Sequence, residues 1–168
     1  QFEDISLQQG IRQILYPYEE MEVLNPEWEV ILKDIIDSLF EQMSDEEYNI
    51  LNEEFGTYMV SRAYEYRQLL EYLVFRYFAK SIYDYDFLGK CQMLVTNFFV
   101  IRQMDIIRWL DNHREYSFKD RMDVVHIFSR QVEYSEDNIE NLYEDFIFDD
   151  IFKTDSLIAI LWIDSENI

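Results

Sequence analysis

The sequence predicts an all-α fold, a single-domain, aromatic-rich bundle of about six or seven helices behind a short irregular N-terminal lead-in. Three observations carry this expectation. The chain has 168 residues, the size of about one domain, and can bury a working core. It is 49% hydrophobic and 17% aromatic, too apolar for a solvated disordered chain. It holds 3 Gly and 2 Pro, too few turn residues for a protein built of short strands.

Residues 1–24 form the expected lead-in, extended or partly helical, because Pro17 disfavours helix in the residue before it. The bundle domain is expected over 25–168. Asn25-Pro26 is a helix start, with Asn able to cap and Pro pre-set for the first helical position. Trp28, Ile31, Leu32, Ile35, Ile36, Leu39 and Phe40 then recur at three and four, to about residue 42. Ser44 with Glu47 has the form of a capping box, and the helix it opens should stop near Gly56. A long aromatic helix is expected over 57–82, broken at 84–86, and another over 87–110. These two should form the centre. Ser117 with Asp120 opens the next helix, to about residue 133, and Ser135 another through about residue 146. Thr154 caps a last apolar segment over 157–163.

The formal charge of −21 is unevenly spread. Residues 1–60 carry 2 basic and 15 acidic groups, 61–130 carry 11 and 9, and 131–168 carry 1 and 11. Such a field repels nucleic-acid phosphate and anionic lipid and draws cationic protein surfaces, so neither nucleic acid nor membrane is an expected partner. One cysteine, Cys91, allows no internal disulfide and fits a reducing cytoplasm. A buried, inert thiol is expected there. The most apolar run, 93–101, falls far short of the roughly 20 residues a bilayer span requires. The opening residue is Gln1 rather than Met, so the chain is read as a piece of a longer protein.

Several chemistries are excluded by inventory. Gly10, Gly56 and Gly89 stand alone, so no phosphate-cradling or dinucleotide loop is present. Asp123 and His126 have the spacing used in di-metal carboxylate bundles, but the second such motif is missing and no metal site is expected. His126 reads instead as a histidine satisfied inside the bundle. The remaining polar residues on apolar helices are the candidates. Arg102, Asp105 and Arg108 follow at spacings of three, His126, Arg130 and Glu133 share a helix face, and Tyr72 and Arg76 lie four apart. Two readings stand open for them. They are ion pairs that lock helix to helix, or they line a polar groove in which Tyr rings and a carboxylate hold a lysine side chain.

The strings Leu70-Glu-Tyr-Leu-Val-Phe-Arg-Tyr-Phe78, Val100-Ile-Arg-Gln-Met-Asp-Ile-Ile-Arg-Trp-Leu110 and Ile127-Phe-Ser-Arg-Gln-Val-Glu-Tyr-Ser135 resemble the C-terminal part of the flagellin lysine-N-methylase family. The lead-in Ile14-Leu-Tyr-Pro-Tyr-Glu-Glu-Met-Glu22 is similar to the segment joining the two parts of those proteins. The resemblance implies methyl transfer from S-adenosylmethionine to lysine ε-amines of flagellin or another lysine-bearing protein. It also implies an upstream cysteine cluster holding a metal or iron–sulfur centre, which a chain with one cysteine does not contain. The expected role of this chain is therefore substrate recognition or structural support, with the reactive centre upstream and no catalytic residue assigned here. The alternative is a non-enzymatic acidic helical module that binds a basic protein.

Overall fold

A computed structural model describes residues 5–79 and 81–166. Residues 1–4 of the lead-in, residue 80 of the expected 57–82 helix and the last two residues of the bundle lie outside the described residues. Among the described residues there is no strand. The helices are α1 (Leu7–Glu19), α2 (Pro26–Ile35), α3 (Asp45–Met59), α4 (Ala63–Phe78), the single turn α5 (Ser81–Asp84), α6 (Phe87–Asp111), α7 (Phe118–Phe128), α8 (Glu136–Phe148) and α9 (Thr154–Glu166). Two of them run on as π-helical turns, α2 through Ile36–Glu41 and α7 through Ser129–Glu133. The all-α bundle predicted from sequence is thus observed, with seven long helices after residue 25 among the described residues.

The starts follow from local chemistry. Asn25 accepts the Glu27 amide with Pro26 in the first turn, and Ser44 with Glu47 and Ser117 with Asp120 each form the reciprocal capping box. Ser135 accepts from the Asn138 amide. Asp86 caps α6 on the amide of Gly89, and a Cβ at residue 89 would lie 2.2 Å from Asp86 Oδ2, so a larger residue there would make the capping carboxylate shift. α6 ends on His113 and Arg114, both at positive φ. The Arg114 amide reaches the Trp109 carbonyl at 2.7 Å, and its guanidinium stacks on the Trp109 ring.

Helix α6 is the axis. It is buried on nearly every side and contacts α1, α2, α4, α7, α8 and α9. Two sequence expectations are corrected around it. The lead-in is not irregular over its length, because α1 buries Leu7, Ile11, Ile14, Leu15 and Tyr18 at helical spacing. Pro17 sits in its last turn, where the missing amide costs one helical hydrogen bond rather than the helix. The chain after α1 is pinned as well: Gln131 Oε1 accepts the amides of Leu24 and Asn25, and Asn138 Oδ1 that of Glu22. The second correction concerns Gly56, which does not stop a helix. It is buried inside α3 at ordinary helical φ, and α3 continues to Met59 before a 3-10 turn at Val60–Arg62 leads into α4.

Candidate functional site

The eight candidate residues do not line one groove. Tyr72, Arg76 and Glu133 come together. Glu133 closes the π-helical turn after α7, which carries its side chain inward to a position 7% exposed. Tyr72 donates to its Oε2 at 2.5 Å, Ser129 to the same oxygen at 2.7 Å and Tyr77 to Oε1 at 3.1 Å. Arg76 Nη2 donates to the Glu133 carbonyl at 3.2 Å, and its Nε lies 3.9 Å from Oε1. Burial, then the hydrogen bond to Glu133, pushes the Tyr72 hydroxyl up to about 12. The network runs inward: Asn97 donates to the Tyr77 hydroxyl at 2.9 Å, and Tyr18 of α1 to Asn97 Oδ1 at 2.6 Å. Four segments of chain are joined by this line of polar groups.

Asp105 belongs to a second cluster. It has no exposed surface, and neither Arg102 nor Arg108 is its partner. Its Oδ2 accepts from Arg121 Nη1 at 2.5 Å and from Tyr66 at 2.8 Å, and its Oδ1 accepts from the Tyr116 hydroxyl. Burial pushes the Asp105 carboxyl up, against the opposing pull of Arg121 and the two hydroxyls. Arg121 lies 4.4 Å over the Tyr66 ring and 3.5 Å from Glu65 Oε2, and Glu65 in turn holds Arg62. Arg102 turns the other way, to Asn52 Oδ1 of α3 at 2.9 Å. Spacing along one helix does not reveal Arg121, Tyr66 and Tyr116, because they meet Asp105 from 11 to 39 residues away; Glu65 lies only three residues from Arg62, but its contact with Arg121 is likewise long-range.

Arg108 and His126 meet in a third place, a cleft of about 450 Å³ between α2 and α7. Glu27, Asp123, His126 and Arg108 stand around aliphatic surface from Val30, Ile31 and Ile127. His126 is exposed rather than satisfied inside the bundle, a correction, because the core-facing positions of this stretch of α7 are Val124, Ile127 and Phe128. Arg130 is exposed one turn further on, outside this cleft. Asp123 already holds an ammonium group, that of Lys119 one turn earlier.

The sequence profile of the FliB lysine N-methylase C-terminal domain matches residues 2–160. The chain belongs to this family. No curated protein matches the chain, and no solved structure does. Over the described residues this FliB-type C-terminal domain is all-α, and the matched stretch runs from α1 into the first half of α9.

Within this methylase domain, no group of three or more His, Cys, Asp or Glu able to hold a metal is found among the described residues. Cys91 is half-buried, and burial raises its thiol pKa. The methyl donor that the resemblance implies finds no fit in the cleft. The three glycines lie inside helices, and no aromatic ring is among the residues that line the cleft to stack on adenine. None of the described helices is long and apolar enough to cross a membrane.

Proposed function

We propose that this domain holds the lysine-bearing protein substrate of a FliB-type methylase, flagellin being the expected substrate, and that S-adenosylmethionine is bound by another part of the enzyme in the cytoplasm. The family match over residues 2–160 is the observation that carries this reading. The α2–α7 cleft supports it chemically. Glu27 and Asp123 can pair with an ammonium group while Val30, Ile31 and Ile127 cover the four-carbon stem. A substrate lysine at Asp123 would take the place of the exposed Lys119 side chain, which pairs with that carboxylate from one turn earlier.

The same carboxylates decide what kind of lysine the cleft holds. Nearby negative charge favours the protonated amine, and a protonated amine has no lone pair with which to attack a methyl donor. The cleft is thus a docking recess for a cationic side chain that orients the substrate, and the reacting lysine is deprotonated elsewhere. Glu27→Gln with Asp123→Asn in the full-length enzyme should raise KM for flagellin roughly tenfold, a loss of about 1.4 kcal/mol, with kcat little changed. An unchanged KM would remove the cleft from substrate binding. Equal methylation by the full-length enzyme and by a form lacking this domain would overturn the wider reading.

A further inference from the structure

The two carboxylates of the α2–α7 cleft are not equally open. Glu27, on the α2 wall, is exposed and has no ion-pair partner among the described residues. Asp123, on the α7 wall, is covered: Lys119 lays its ammonium on Asp123 Oδ2 at 2.5 Å, with 82% of the Lys119 side chain in solvent. Arg108 lines the cleft too, but no ion pair joins it to Asp123 among the described residues.

This placement of Lys119 does little for α7 itself. Lys119 is the second residue of the helix, and a cation in the first turn faces the positive end of the helix dipole. Pairs four apart stabilise a helix better when the acid comes first, and here the base does. An exposed pair between flexible side chains also gives up rotamer freedom for a screened attraction. Such a contact opens easily. In its chemistry it matches the ligand read for the cleft, an ammonium on a four-carbon stem.

We infer that Lys119 is a resident competitor of the substrate lysine. The inference rests on the reading of the cleft as a docking recess. An incoming side chain meets Glu27 first, and gains Asp123 only by displacing the Lys119 ammonium. One ammonium replaces another, so Asp123 is not left bare during the exchange. What decides the exchange is therefore the set of contacts that Lys119 lacks, since it is not among the residues lining the cleft: Glu27 and the aliphatic wall of Val30, Ile31 and Ile127. A lysine that reaches only Asp123 gains nothing over the resident one. Lys119 thus acts as a threshold that favours a substrate fitting the whole recess over a stray surface lysine, a specificity gained by a competing element.

The test compares KM for flagellin in the full-length enzyme and in its Lys119→Met, Asp123→Asn, Lys119→Met/Asp123→Asn and Lys153→Met variants. Lys153 pairs with Asp150 outside the cleft, so its substitution removes the same charge without touching the recess. Lys119→Met should lower KM roughly twofold with kcat little changed, the scale set by an exposed pair of this spacing. The fall should vanish in the Asp123→Asn background, and Lys153→Met should not reproduce it. An equal fall with Lys153→Met would assign the effect to net charge, and a rise with Lys119→Met would make Lys119 a support for the site; either overturns the competitor. If Lys119→Met leaves KM unchanged while Asp123→Asn raises it, the competitor is overturned and the docking recess stands. If neither changes KM, both fall.

Discussion

Asp105 has no surface in solvent, and three donors from α4, the loop after α6 and α7 converge on it. Its removal would strand Arg121 among rings with only Glu65 nearby, leaving a buried cation incompletely compensated. Asp105→Ala should therefore destabilise the protein by about 3 kcal/mol, the lower end of what breaking one side of a buried pair costs. Urea unfolding measures this directly, and a loss under 1 kcal/mol would show that the cluster is not a fastening. Asp105 is thus a residue of structure, and changes at it report on folding before they report on methyl transfer. Glu133 is fastened likewise, but Tyr72 and Arg76 beside it stay partly open to solvent.

At the scale of the element, caps and π-helical turns decide where side chains go. The capping box at Ser44 and Glu47 is exposed, and hydrogen bonds from the Ser44 amide and hydroxyl hold the Glu47 carboxyl below its usual 4.5. A carboxyl depressed in the folded state adds stability above its unfolded pKa and loses it as pH falls through the folded value. The stability difference between the natural protein and Glu47→Gln should accordingly shrink as pH is lowered below 4.5, since glutamine accepts the same bonds without titrating. Parallel stability curves from pH 6 to pH 3, followed by thermal unfolding, would count against the box as a source of acid sensitivity. The π-helical turn after α7 has the larger structural effect. Inserting wider i→i+5 turns takes Glu133 off the solvent face that His126 and Arg130 occupy and sends it toward α4.

For the whole molecule, two unlike surfaces stand out. The net charge of −21 acts at a distance, whereas the exposed apolar side chains between α4 and α6 act only on contact. If the acidic surface steers a cationic protein substrate, association with flagellin should slow and weaken as salt rises from 0.05 M to several tenths molar, where the screening length falls below about 8 Å. Association rates followed by stopped-flow fluorescence test this, and a salt-independent rate would take long-range charge out of the account.

What could be read before folding was local. Asn25, Ser44, Ser117 and Ser135 mark helix starts because a cap acts on an amide two or three residues away, within reach of the chain itself. The helical class followed from periodicity and from the shortage of turn residues. The period in α1 is equally present, at Leu7, Ile11, Ile14, Leu15 and Tyr18, but Pro17 masks it, because only the packed helix shows that this proline falls in a last turn. The candidate site was legible only as a set of residue types. Arg102, Asp105 and Arg108 drift by about 60° at each three-residue step on a helix of 3.6 residues per turn, so on a helix surrounded on all sides they face three different neighbours. Tertiary packing alone chose Asn52 for the first, Arg121 for the second and the α2–α7 cleft for the third. A charge buried in a bundle must pair with whichever opposite group the facing helix delivers, and that choice depends on how helices cross, which no spacing along one helix encodes.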